Sequence, residues 1–274
     1  YGSRAAGGVV LITTKKGKEG KLQVNYSGSA TLKTVGLMPT LCNIDQWADG
    51  VQQALINDNN TSNVWYTYAE LAKKYKGGYI DVRKTTNPFG QSAFTDVSDF
   101  VFDDSVDWLG SLFGSTWSTN HSLSLSGGND KSAYRISGSF LYDGSTLQYG
   151  NNNNKRYNIR WNYSNKLNKI FTLESSIAFS RQEQVAPTQV GSALSTSVPM
   201  PGLPLTAMDG KPYAWGTWAS PVAKVSQGGD NKLSVRSLNI SETLKAHITD
   251  WLDANVNVGY NTSEARRRKI ANAI

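Results

Sequence analysis

The chain has 274 residues, with 28 Lys and Arg against 21 Asp and Glu for a formal charge of +7, two His and one Cys. The lone Cys42 excludes a disulfide framework and any cysteine zinc site, and the separated His121 and His247 exclude a His-rich metal centre, so no metal or other cofactor is implied. No run of about 18 apolar residues exists, so no membrane helix is expected, and a composition rich in Tyr, Trp, Ser and Asn leans to β structure.

The chain starts at Tyr1 in mid-pattern, without Met or a leader, and reads as a stretch of a longer protein. Small residues and an apolar run, Val9–Ile12, lead to Lys15, Lys16 and Lys18 and to a hinge at Gly17–Gly20. A period of two then sets in. In Leu22–Leu32, Leu22, Val24, Tyr26 and Leu32 alternate with Gln23, Asn25, Ser27 and Thr31.

A long irregular connection, 35–117, follows. It holds a predicted helix over Ile44–Leu55 with Asn43 as N-cap, and a second over Val64–Tyr75. Alternation resumes in Asn120–Ser126 and Ser132–Asp143, joined by the polar turn Gly127–Lys131. The exposed turn 144–154 ends in four Asn. Arg156–Ser164 and Ile170–Arg181 form the next predicted hairpin. A second long loop, 186–232, carries Trp215 and Trp218. The last hairpin pairs Leu238–His247, whose apolar face Glu242 interrupts, with Trp251–Asn261. The basic run Arg266-Arg267-Arg268-Lys269 is not accompanied by any nucleic-acid module, so it reads as a solvated strand end or loop and no nucleic-acid partner is expected.

Each of these strands is about ten residues, the length that crosses a bilayer when tilted. Short turns at one end and long loops at the other are the pattern of an outer-membrane β-barrel. In that reading apolar and aromatic side chains face lipid. Asn, Ser, Thr, Arg and Glu face a wet interior. Tyr142, Tyr157, Tyr163, Phe171 and Tyr260 sit near strand ends, as an interfacial aromatic girdle would. A soluble β-sandwich also alternates, but its solvated face would carry more Lys and Glu.

The segment Ser3-Arg4-Ala5-Ala6 through Thr13-Thr14-Lys15-Lys16-Gly17 resembles the plug exit of TonB-dependent outer-membrane receptors, in the form of the SusC/RagA branch. Asp107-Trp108-Leu109, then Asn120-His121-Ser122-Leu123-Ser124-Leu125-Ser126-Gly127-Gly128, is similar to the region around that family's second strand. Arg156-Tyr157-Asn158-Ile159-Arg160-Trp161-Asn162 is similar to its Arg-x-Asn-x-Arg-x-Asn strand. Asp209-Gly210 and Ser220-Pro221-Val222-Ala223 fit its following extracellular loop, with Ser220 where the family often has Asn.

The resemblance implies an all-β chain, part of a 22-stranded transmembrane antiparallel barrel around a plug. Residues 1–20 would be the plug's C-terminal end and hinge, with Gly17 and Gly20 at the hinge, and 21–274 would supply about seven barrel strands. It implies uptake of large nutrients, oligosaccharides or peptides, driven by the proton-motive force through TonB–ExbB–ExbD. A SusD-like lipoprotein would be the partner, in the outer membrane of a Bacteroidetes-like Gram-negative cell. Lumen-facing Asn25, Arg135, Arg160 and Glu174 are candidates to touch plug or solute, and Trp215 and Trp218 to stack on substrate or anchor a loop. The stretch alone would leave unpaired sheet edges and is expected to aggregate or stay unfolded. Other readings are a siderophore or cobalamin receptor, or a secreted β domain binding carbohydrate through Trp and Tyr.

No enzyme is expected. A phosphate loop and a nucleophile elbow are absent from the sequence. Asp103/Asp104 and Glu242/Asp250 read as loop and strand-end charge, Asp58-Asn59-Asn60 lacks the glycine and terminal Glu of a calcium loop, and His121 reads as a hydrogen-bonded structural residue.

Overall fold

The period-two segments all become strands of one antiparallel sheet. In a computed structural model, residues 15–74, 76–77, 79–80, 100–101, 106–195, 205–206, 210–212, 214–215 and 218–273 are described. In chain order these hold β1 (Gly20–Lys33), α1 (Ile44–Asn57), α2 (Val64–Lys74), the two-residue strands β2 (Tyr79–Ile80) and β3 (Phe100–Val101), and α3 (Trp108–Leu112). Then come β4 (Thr116–Gly128), β5 (Ser132–Gly144), β6 (Asn153–Lys166), β7 (Phe171–Pro187) and α4 (Val190–Ser195). The short β8 (Ala214–Trp215) and β9 (Trp218–Ala219), α5 (Pro221–Gln227), β10 (Asp230–Thr249) and β11 (Leu252–Lys269) complete the order. The apolar run Val9–Ile12 lies outside the described residues.

The sheet runs β1-β4-β5-β6-β7-β10-β11, each strand beside its neighbour in the chain once the long connections are passed over. Its register sorts side chains by face, because directly opposed residues in antiparallel strands share a side. One row reads Val24, Leu125, Ile136, Trp161, Ile177, Ile240, Tyr260 across all seven strands. The next row, on the opposite face, reads Asn25, Ser124, Ser137, Arg160, Ala178, Asn239, Asn261. A slip of one residue on any strand would place its apolar set among hydroxyls and amides.

The strands are longer than the ten residues expected: 13 or 14 in β1, β4, β5 and β6, 17 in β7, 18 in β11 and 20 in β10. The additions lie mainly at the end with the long connections. There β10 reaches back to Asp230, inside the expected loop, and β11 runs on through Arg266–Lys269. Arg266–Lys269 are basic on both faces, and in the β10 extension Leu233 and Val235 fall on the face of Asn239 rather than that of Leu238, so backbone pairing persists where the alternation no longer holds. The aromatic row is corrected accordingly. Tyr157 and Tyr260 lie within their strands, near the edge of the apolar band rather than at a strand end. Phe140 and Tyr157 touch at a ring separation of 5.0 Å, and Tyr134 opposes Tyr163 six residues away, about 20 Å along the strand.

The hydrophobic core sits in the long connections. Ile44, Tyr68, Ala72, Trp108, Leu112, Leu147, Ala193, Val222 and Val225 form one buried cluster drawn from α1, α2, α3, the β5–β6 loop, α4 and α5. The two predicted helices are present, and Asn43 closes a full capping box. The Gln46 amide donates to Asn43 Oδ1 at 2.9 Å, and the Asn43 amide donates to Gln46 Oε1 at 3.2 Å. The short helices α3 and α5 start the same way. The Gly110 amide donates to Asp107 Oδ1 at 2.9 Å, and the Ala223 amide donates to Ser220 Oγ at 3.0 Å, with Pro221 opening α5. A closed cap therefore stands over one end of the sheet, and tight turns close the other.

Candidate functional site

The polar face of the sheet is a cross-linked surface. Asn158 Nδ2 donates to Ser139 Oγ at 2.9 Å, Ser176 Oγ donates to Asn162 Oδ1 at 2.8 Å, and Asn257 Nδ2 donates to Ser241 Oγ at 2.9 Å. Arg135 Nη2 donates to Ser124 Oγ at 2.9 Å. Arg135 opposes Asn162 and Arg160 opposes Ser137, so the two arginines are diagonal neighbours on this face. The register puts Asn25, Arg135, Arg160 and Glu174 on one side, as the alternation predicts.

Residues 15–17 lie against the same face, near the tight-turn end. Asn162 Nδ2 donates to the Lys15 carbonyl at 3.2 Å. Lys16 Nζ donates to Glu174 Oε2 at 2.7 Å, and Lys245 Nζ donates to the other oxygen, Oε1, at 2.8 Å. A small cavity of about 190 Å³ opens beside this seat, lined by Lys16, Gly17, Asn162, Glu174, Ser176 and Thr243 among others. Gly17 and Gly20 do different things. A Cβ on Gly17 would lie 2.5 Å from the Tyr134 carbonyl oxygen, so Gly17 is pressed onto the β5 backbone. Gly20 has φ +140° and open space around it, a backbone turn that a side chain would strain. No sequence signal pointed to Asn162 as the residue gripping the chain that enters β1, because that contact spans 147 positions.

At the cap end a larger cavity of about 640 Å³ is lined by Lys33, Asp143, Thr146, Asn152, Asn154 and Gln184 among others. Lys33 Nζ donates to Asp143 Oδ1 at 2.6 Å on its wall. The Asn run read as an exposed turn thus lines a hollow rich in amide donors and acceptors, the chemistry that binds hydroxyls or peptide groups. Trp215 and Trp218 oppose each other in the β8–β9 pair, and their side chains lie outside the described residues.

On the other face, His121 Nδ1 and Tyr26 Oη share a hydrogen bond of 2.7 Å, consistent with the structural role expected for this histidine. Glu242, the break in the apolar face, accepts a hydrogen bond from Ser175 directly across the strand pair. Among the described residues no group of three or more His, Cys, Asp or Glu is placed to hold a metal.

No family model matches the chain. TonB-dependent receptor P3 of Formosa agariphila is 26% identical over 206 residues, 72% of this chain and 16% of that receptor. The RagAB peptide importer superposes in its closed-closed state with a TM-score of 0.69 and in its open-open state with 0.70. Each match is 18% identical and covers 97% of this chain, against 31% and 30% of the importer chain. The chain has the fold of the SusC/RagA-type receptors. The resemblance read in the sequence is thereby borne out, as is the all-β antiparallel architecture matching that barrel. This chain spans about a sixth of the curated receptor and under a third of the solved importer chains.

Proposed function

We propose that the chain is a wall segment of a TonB-dependent outer-membrane importer of large nutrients, oligosaccharides or peptides. The observation that carries this reading is the seat of residues 15–17 on the polar face. A SusC/RagA-type barrel has its plug leave through the lumen into the first strand, and here the chain entering β1 is held by Asn162 and Glu174 on the hydroxyl- and amide-lined side. That side is the lumen and the aliphatic side meets lipid. The tight turns face the periplasm and the helical cap faces outward. Residues 1–20 are the end of the plug and its hinge, and 21–274 belong to a barrel that closes with further strands, 22 in all.

The named relative is a TonB-dependent receptor and the superposed importer carries peptides, which supports uptake driven by TonB–ExbB–ExbD and the proton-motive force. The helical cap and the amide-lined hollow beneath it are suited to meet a SusD-like lipoprotein that delivers substrate. Arg135 and Arg160 line the solute path. Trp215 and Trp218 belong to the loops around it.

The test uses the full-length gene product. It should fractionate with the outer membrane and shift mobility on boiling, and uptake of labelled oligopeptides or oligosaccharides should stop when the proton gradient is collapsed. A soluble product with no shift would return the alternation to a soluble sandwich.

A further inference from the structure

The apolar face changes character at one level. On β6, β7, β10 and β11 the row Tyr157, Arg181, Arg236, Glu264 is followed by Lys155, Glu183, Ser234, Arg266, and then by Asn153, Val185, Lys232, Arg268. These rows continue the face that carries Ile159, Phe179 and Leu238 one step earlier, so their side chains share the lipid-facing side. Six cations thus stand in a block four strands wide, starting at the aromatic residue Tyr157. On β1, β4 and β5 the same face carries Ala30, Leu32, Trp117, Thr119 and Tyr142 at the corresponding levels and no charge. The cations are therefore a local feature, not a general solvated rim.

The carboxylates within the block do not neutralise it. Glu183 pairs with Arg181, Glu264 with Arg266, and Asp230 with Lys232 at 3.6 Å. Lys155, Arg236 and Arg268 have no carboxylate within ion-pair range among the described residues. Two shielded polar atoms of the same face, Arg181 Nε and Ser234 Oγ, have no hydrogen-bond partner, an expense that proteins normally avoid. The block encloses a basin of about 980 Å³.

We propose that this basin binds the phosphorylated headgroup of a lipid A-type glycolipid in the outer leaflet. The inference rests on the barrel reading, with the cap end outward. Lipid-facing cations just beyond an aromatic girdle sit at headgroup depth, where Lys and Arg attract anionic lipid. Guanidinium forks suit phosphate oxygens. The acyl chains would lie along Ile159, Phe179 and Leu238 directly below.

The experiment takes the full-length receptor in detergent and measures lipid binding by native mass spectrometry. Three probes are compared: diphosphorylated lipid A, the same lipid stripped of its phosphates, and inorganic phosphate. The expected result is strong preference for the diphosphorylated lipid, with little occupancy by phosphate alone. The variant K155Q/R236Q/R268Q should weaken that binding by about a hundredfold, at about fivefold per cation. Equal binding of the two lipids, unchanged binding by the variant, or inorganic phosphate occupying the site as well as the lipid does would each overturn the proposal. The comparison of lipids on the unmodified receptor needs no variant to fold. A receptor that shifts on boiling but shows no lipid preference sinks this inference alone. One that never shifts sinks the barrel reading and this inference together.

Discussion

The cap buries Ile44, Tyr68, Ala72, Trp108 and Leu112 to 2% exposure or less, whereas the side chains that the wall buries between its ends are Ser124, Ser126 and Asn162, all polar. Meanwhile Val24, Ile159 and Val258 of the wall stand 61%, 58% and 67% exposed. The cap satisfies its apolar surface internally, as a water-soluble domain does. The wall leaves its apolar surface for another solvent and spends its internal contacts on hydroxyls and amides. Exposure therefore means opposite things in the two regions, and substitutions should reveal it.

Trp108→Ala should have the largest effect, about 3–5 kcal/mol, since it empties the centre of the cap core. In the full-length receptor, hydrogen exchange should rise across α1, α2 and α5 while the boiling shift persists. Loss of the shift would mean that cap and wall fold as one unit. Next comes Val24→Arg, about 2–4 kcal/mol despite that residue's exposure, because a cation would enter the middle of the lipid band. The adjacent Gln23→Arg, on the polar face, should change stability little. Urea titrations of membrane-reconstituted receptor would separate the two, and equal effects would mean that the faces have been assigned wrongly.

The wall was legible because its signal is local. Alternation in Tyr134–Tyr142 or Tyr157–Tyr163 needs no knowledge of distant residues, and it fixed the faces of Arg135 and Arg160 correctly. The strand extensions were hidden because Arg266–Lys269 are all basic, while Asp230–Arg236 set Lys232, Ser234 and Arg236 on the face of Leu238 and the apolar Leu233 and Val235 on the opposite face, so the period inverts there. The cap core was hidden for a different reason. Trp108, Leu147 and Val222 come from three separate connections, and no local pattern announces that they meet. The starts of the short helices were nevertheless written in the chain, as Asp107 before Trp108 and Ser220 before Pro221.

The seat of residues 15–17 allows a finer cut, because shape, hydrogen bonding and charge contribute separately. Asn162→Leu removes the donor to the Lys15 carbonyl and the acceptor for Ser176 from a site only 8% exposed, and should cost about 1–3 kcal/mol. Gly17→Val would drive a side chain into the β5 backbone and should cost a similar amount, about 1–3 kcal/mol. Both should raise proteolysis near residues 15–20 without altering the boiling shift.

Lys16→Ala should do least, about 0.2–1 kcal/mol. The ammonium is half exposed, so water and salt screen the ion pair, and Glu174 keeps Lys245 on its other oxygen when Lys16 is gone. The seat would then be held by the fit of Gly17 and the Asn162 hydrogen bond, and proteolysis near residues 15–20 should vary little between low and high salt. A strong salt dependence that disappears in the Lys16→Ala variant would reverse this order. Residues 15–17 would then be held mainly by charge, a contact that a change in local field releases more readily than a close backbone fit.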